Sequence, residues 1–76
     1  MTPYENSAGN SGVIAYTINP DHIAVRFVDG KVYIYSYASA GKRNVEQMKK
    51  LAKSGRGLST FISTTVKNRY EEKSTD

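Results

Sequence analysis

Residues 31–37 read K-V-Y-I-Y-S-Y, and their alternation decides the predicted fold. Successive side chains of a strand point to opposite faces, so Val32, Ile34 and Ser36 would share one face. The other face would carry Lys31, Tyr33, Tyr35 and Tyr37. The first face belongs to a core, whereas the second is either covered by another element or free to bind a partner.

A second alternating run, H-I-A-V-R-F-V at residues 22–28, precedes this strand and is followed by Asp29-Gly30. Asp-Gly is typical of two-residue type I′ hairpin loops. Such a loop would pair Arg26 with Tyr33 and Ala24 with Tyr35. The predicted apolar face then carries Ile23, Val25, Phe27, Val32 and Ile34. The predicted mixed face carries His22, Ala24, Arg26, Val28, Lys31, Tyr33, Tyr35 and Tyr37.

The remaining elements follow from local patterns. V-I-A-Y-T-I at residues 13–18 predicts a first strand, which ends at the turn formers of residues 19–21. A capping-box pattern at Asn44 opens a helix that Gly55 would end with a left-handed cap. The helix would bury Val45, Met48, Leu51 and Ala52. Three-and-four spacing predicts a second helix over residues 59–70, although its β-branched residues lower helix propensity.

These elements predict an α+β domain with a three-stranded antiparallel β-meander. One helix would lie on its apolar face, and a second, C-terminal helical segment would pack at the sheet edge or on the tyrosine face. Residues 12–70 would form this domain, between a flexible arm at 1–11 and a flexible tail at 71–76. A domain of about 60 residues buries only ~60% of its unfolded surface, so the core is small.

Charge is unevenly distributed along the chain. The net charge is +4, and residues 38–70 hold eight lysines and arginines against Glu46 alone. Such an excess indicates either a polyanionic partner or a solubility device. The chain has no cysteine, and it shows neither a signal-like start nor an apolar run of membrane-spanning length. We therefore expect a cytoplasmic protein with no membrane partner.

The inventory of reactive groups argues against an enzyme. His22 is the single histidine, cysteine is absent, and the glycines do not form a phosphate-binding loop. The scattered carboxylates predict no metal site. We expect a domain without catalytic residues, metal or cofactor.

Aromatic and basic residues on one strand pair favour nucleic-acid binding, since bases stack on exposed rings and cations neutralise phosphates. The predicted site for RNA or single-stranded nucleic acid comprises Tyr33, Tyr35 and Tyr37 for stacking, and Arg26, Lys31, Lys42, Arg43 and Arg56 for phosphate. Two alternatives stay open. The tyrosines could instead pack beneath the second helix as core, or the sheet edge or tyrosine face could dock a protein partner. A monomer is expected.

The order of features from about Val13 to Tyr70 resembles the KTSC domain. The matching stretches are Y-T-I-N-P-D, I-A-V-R-F-V-D-G, the central Y-I-Y, a helix, S-G and a closing V-K-N-R-Y. That family is known as a C-terminal appendage of some lysyl-tRNA synthetases and as small bacterial or phage proteins. Its hallmark Y-x-Y would correspond to Tyr33 and Tyr35. The resemblance implies a small binding domain, for which RNA binding has been suggested.

Overall fold

A five-stranded antiparallel sheet, in which each strand lies beside its sequence neighbours, forms the body of the molecule. The computed structural model describes residues 1–7, 9 and 11–75. The strands are β1 (Thr2–Pro3), β2 (Val13–Asn19), β3 (His22–Phe27), β4 (Lys31–Ser36) and β5 (Glu72–Thr75). The helices are α1 (Tyr37–Ala40), α2 (Lys42–Ser54) and α3 (Leu58–Phe61), which continues into a π-helical turn, Ile62–Val66. The predicted α+β class is confirmed, but the prediction of three strands was too few.

The two additional strands form the edges of the sheet and come from the segments predicted to be flexible. β1 pairs with β2 at Tyr16 and Ala15, and the Tyr4 amide donates to the Ile14 carbonyl at 2.9 Å. β5 pairs with β4, with Glu72 opposite Ile34. β1 has two residues and β5 reads E-K-S-T, so neither carries the apolar alternation that identifies a strand in a sequence.

The β3–β4 hairpin has a three-residue loop, so the predicted two-residue loop and its register were wrong. The Gly30 amide donates to the Phe27 carbonyl at 2.9 Å, and Gly30 has φ +86°. This is the arrangement of a turn followed by a left-handed glycine, which is the usual three-residue hairpin loop. The register shifts by one residue, so that Val25 faces Tyr33 and Arg26 faces Val32.

A one-residue shift moves every side chain of β4 to the other face of the sheet relative to β3. Tyr33 and Tyr35 therefore lie with Val25 and Ile23 on the face that the helices cover, and the predicted division into an apolar and a mixed face was wrong. The opposite face, here called the uncovered face, carries Ala15, Thr17, Ala24, Arg26, Val32 and Ile34.

The helical region begins earlier than predicted because Ser36 caps α1. The Ser36 hydroxyl accepts from the Ser39 amide at 3.1 Å, and the Ser39 hydroxyl accepts from the Ser36 amide at 3.0 Å, which completes a capping box. Tyr37 is therefore the first residue of α1 and not the last of a strand, and α2 begins at Lys42 and not at Asn44. The predicted cap at Gly55 is confirmed, with φ +77° and ψ +18°.

The core lies between the sheet and the helices. Both the N-terminal and the C-terminal half of the chain contribute to it, with the buried residues Tyr4, Val13, Ile23, Val25, Tyr35, Ala40, Val45, Met48, Ala52, Leu58, Ile62 and Val66. The predicted apolar stripe of α2 is thus largely confirmed. The second helix is shorter than predicted, since regular α-helix ends at Phe61 and the β-branched segment forms the π-helical turn. Within the part of the chain that the structure describes, no helix is long and apolar enough to cross a membrane.

Candidate nucleic-acid interface

Tyr35 is a core residue. Its side chain is 1% exposed, and its hydroxyl donates to the Lys67 carbonyl at 3.4 Å. The ring of Tyr33 lies 6.5 Å away and nearly parallel, and the ring of Tyr70 meets both edge-on. Burial raises the pKa of Tyr35 to about 12, with smaller contributions from Tyr33 and Tyr70. Tyr35 consequently offers no open face for a base, whereas Tyr33 is half-buried.

An open cleft of about 340 Å³ begins where this aromatic cluster reaches the surface. We call it the aromatic cleft, and it is lined by Gly12, Phe27, Val28, Asp29, Tyr33, Tyr35, Ile62 and Lys67. Phe27 and Tyr33 meet edge-to-face with their ring centres 5.2 Å apart. Lys73 of β5 places its ammonium 5.7 Å from the centre of the Tyr33 ring. The cleft therefore combines aromatic walls with two nearby cations.

Lys67, at the border of the aromatic cleft, has an unusual backbone. Its φ is +46° and its ψ −114°, a combination outside the regions that side-chain-bearing residues normally adopt. Its amide donates to the Ile62 carbonyl at 2.6 Å and closes the π-helical turn. Strained residues and single π-helical turns both concentrate at ligand-binding and functional sites. The backbone at Lys67 therefore marks the aromatic cleft as a candidate site.

Tyr37 belongs to a different cluster, at the start of α2. Its hydroxyl donates to Glu46 Oε2 at 2.6 Å, and Lys49 Nζ lies 2.9 Å from the same oxygen. The hydrogen bond from Tyr37, reinforced by Lys49, holds the pKa of Glu46 below its usual value, and Glu46 in turn raises the pKa of Tyr37. Lys49 also donates to the Pro20 carbonyl at 3.2 Å. These bonds tie α2 to the turn between β2 and β3.

The outer side of α2 carries a concentration of positive charge. We call this the basic surface, and it consists of the exposed side chains of Lys42, Arg43, Lys50 and Lys53 on α2 and of Arg56, which follows the cap residue of the helix. Glu46 is the sole acidic residue of the helix, and Lys49 and Tyr37 already engage it. The basic surface is therefore a cluster of solvated cations with little local compensation, suited to a polyanion.

The structure divides the predicted site residues among several places. Tyr33 and Tyr35 stay together, and Tyr37 lies near Lys42, whose ammonium is 5.8 Å from its ring centre. Arg26 lies on the uncovered face, away from the tyrosines, and Lys31 lies at the hairpin loop with its ammonium 4.0 Å from Asp29. Lys42, Arg43 and Arg56 lie on the basic surface.

Of the eight residues that line the aromatic cleft, the predicted site contained Tyr33 and Tyr35, and it missed Phe27 and Lys67 among the others. Phe27 was expected to be core because it alternates with Ile23 and Val25, and it does pack against the core while also reaching the cleft. Lys67 had no distinguishing signal, because lysine rarely adopts a positive φ and nothing in V-K-N-R-Y announces one.

His22 has a carboxylate neighbour, Asp21. Its Nδ1 lies 2.8 Å from Asp21 Oδ1, and this hydrogen bond lowers the pKa of Asp21. Ser36, opposite His22 across the strands, donates its hydroxyl to Glu71 at 2.7 Å instead. Among the residues that the structure describes, no three His, Asp or Glu side chains converge as metal ligands would.

The buried Tyr35 hydroxyl predicts a loss of stability at alkaline pH. Its pKa is raised from 10.0 to about 12, so between these values the unfolded chain loses the proton while the folded chain keeps it. Folding stability from this group is complete below pH 10 and should fall by about 2–3 kcal/mol as the pH approaches 12. Urea unfolding of the wild type and of Tyr35→Phe at several pH values measures the contribution of the Tyr35 hydroxyl to the free energy of unfolding. Parallel stability curves for the two proteins over this range would contradict it.

Comparisons of the chain with protein-family models, curated proteins and solved structures found no significant match.

Proposed function

We propose that this protein is a non-catalytic domain that binds RNA or single-stranded nucleic acid. The basic surface carries the proposal. Its five exposed cations lie within the fifteen residues 42–56, and the one acidic residue of this stretch, Glu46, is already paired with Lys49. Each cation that meets a phosphate releases a counterion, which makes such binding strong at low salt and weak at high salt. The resemblance to the KTSC domain supports the same proposal, because RNA binding has been suggested for that family.

The predicted stacking of bases on an exposed tyrosine surface is not part of this proposal. A flat stacking platform requires exposed rings, and Tyr35 is buried beneath the segment that ends at Lys67. Phosphate binding is therefore assigned to Lys42, Arg43, Lys50, Lys53 and Arg56. Arg26 and Lys31 lie on the strands β3 and β4 and are not assigned to this surface.

Two double variants with the same net charge test the location of the interface. Lys50→Gln/Lys53→Gln removes two cations from the basic surface, and Arg26→Gln/Lys31→Gln removes two from the sheet. A short single-stranded RNA is titrated at several salt concentrations, and log K is plotted against log salt. Each single-strand phosphate contact contributes about 0.7 to the magnitude of the slope, so the helix variant should have a slope smaller by about 1.4. The sheet variant should retain the wild-type slope.

Three results would count against the proposal. Wild-type affinity that ignores salt would exclude phosphate recognition altogether. Equal losses in both variants would indicate a diffuse attraction to net charge, and a larger loss in the sheet variant would move the interface to Arg26 and Lys31. Circular dichroism of each variant confirms that the comparison is between folded proteins.

A second candidate function, a protein-interaction module, is favoured by the uncovered face. Val32 and Ile34 are half-buried there and do not pack against the core, and the buried Ala24 lies between Ile34 and Thr17. Apolar side chains on an open sheet face are typical of surfaces that dock a second polypeptide. Measurement of the molecular mass in solution tests the self-associating form of this function, which a strict monomer would contradict.

A further inference from the structure

We propose that the aromatic cleft accepts one unpaired base of the bound strand, with the phosphate of that nucleotide on Lys67. This inference rests on the proposed function and adds to it a site for the base, which the basic surface does not supply. Its volume of about 340 Å³ is at the lower end of the range, ~300–1,000 Å³, that holds small ligands. The cleft is therefore suited to one planar ring system.

The lining of the cleft matches the chemistry of a nucleotide. Phe27, Tyr33 and Ile62 supply an apolar, largely aromatic wall, against which a base has favourable contacts whatever its sequence identity. Lys67 and Asp29 also line the cleft, so that a phosphate is attracted to the charge of the lysine and repelled by that of the aspartate. This asymmetry gives a nucleotide one preferred orientation.

The backbone of Lys67 supplies a second, independent reason. A glycine would adopt φ +46° and ψ −114° without strain, whereas lysine does so at a cost of about 1–3 kcal/mol. The chain therefore keeps a cation at a position where a smaller residue would be more stable. Strain of this kind is commonly retained where the side chain has a function.

The aromatic cleft also lies close to the basic surface. A second cavity, of about 180 Å³, is lined by Arg56 of the basic surface and by Ser11. The next residue, Gly12, lines the aromatic cleft. A strand bound along α2 can thus continue past Arg56 and Ser11 and place a base between Phe27 and Lys67.

The base contribution is tested with a short single-stranded RNA and a fully abasic strand that has the same number of phosphates. Loss of one stacked base should weaken wild-type binding about 5- to 150-fold, while both strands should keep a salt dependence because both retain their phosphates. Equal affinity for the two strands would overturn the cleft proposal and leave the basic surface intact. Absence of salt-dependent binding for both strands would instead overturn the proposed function.

Two variants of Lys67 separate its side chain from its backbone. Lys67→Gly relieves the strain and removes the ammonium, whereas Lys67→Gln removes the ammonium and keeps the strained backbone. Both should weaken binding of the intact RNA, and only Lys67→Gly should raise the thermal midpoint. Unchanged RNA affinity in both variants would refute a role for Lys67 at the cleft.

Phe27→Leu tests the aromatic wall, since it keeps an apolar side chain at the same place. This variant should reduce the difference between the intact and abasic strands without changing the affinity for the abasic strand. The helix variant Lys50→Gln/Lys53→Gln is the matched control, because it should weaken the binding of the intact and the abasic strand by the same factor. If Phe27→Leu leaves the difference between the strands at its wild-type value, the base does not bind in the aromatic cleft.

Discussion

Replacement of Tyr35 by alanine is expected to lower the free energy of unfolding by about 3–5 kcal/mol, as removal of a large aromatic core residue generally does. Tyr35 is 1% exposed and its ring lies against those of Tyr33 and Tyr70, so its removal leaves a cavity bordered by these two rings. A chain of this length has a total stability of about 4–11 kcal/mol. The expected loss is therefore a large fraction of the total stability, and urea titration monitored by circular dichroism will measure it.

Tyr35→Phe is the control that preserves the ring. It removes only the hydroxyl, whose bond to the Lys67 carbonyl is long at 3.4 Å, so a change of about 1 kcal/mol or less is expected at neutral pH. A Tyr35→Ala protein as stable as Tyr35→Phe would show that this ring is not part of the core, and would restore the sequence-based interpretation of Tyr35 as an exposed stacking residue.

Gly55→Ala is expected to destabilise the protein by about 2–5 kcal/mol. Gly55 is left-handed, with φ +77°, where alanine costs about 1–2 kcal/mol. A Cβ atom there would also lie 2.5 Å from the Cβ of Glu5, and the Ser7 amide, which donates to the Gly55 carbonyl at 2.7 Å, holds the two segments together. Relief of this overlap requires a backbone shift, which typically costs a further 1–3 kcal/mol or so. Thermal unfolding will show the loss as a lower midpoint.

Gly57→Ala is the matched control for the backbone term. Gly57 has nearly the same φ, +82°, but a Cβ there would meet its nearest neighbour, a Leu51 methyl, at an ordinary 3.5 Å. Gly57→Ala should thus lose only about 1–2 kcal/mol. Adding Glu5→Gly should recover part of the loss in Gly55→Ala and none of that in Gly57→Ala. Equal destabilisation by the two alanines would show that the N-terminal segment does not dock against Gly55.

The predicted register between β3 and β4 was wrong because of one loop, and this error spread to the predicted site. Asp29-Gly30 is compatible with a two-residue loop or with a turn that ends in a left-handed glycine, and both are common. The two loops differ in register, and the observed register buries Tyr35 where the predicted one would bury Ile34. Which of these is more stable depends on the packing of the whole core and not on the loop residues. By contrast, Gly55 was correctly predicted as a helix cap because the signal, a glycine after an amphipathic run, is local.

The candidate site was predictable in composition and only partly in position. Lys42, Arg43 and Arg56 were identified from the excess of charge in the second half of the chain, and they do lie on an exposed surface. The grouping of Arg26 with Tyr33 followed from the wrong register. Lys67 could not be found from the sequence, because its positive φ results from the ending of a π-helical turn against the sheet.

The consecutive order of the five strands has a consequence for the entropy of chain closure. Each strand pairs with its neighbours in the sequence, and the two central hairpins close loops of only two or three residues. The contact between the Tyr4 hydroxyl and the Leu58 amide spans 54 residues, so its closure costs ~2–3 kcal/mol more than a hairpin does when the rest of the chain is unfolded. Once the sheet and α2 have formed, most of this loss of chain entropy has already occurred, and the N-terminal segment can dock on a surface that is already folded.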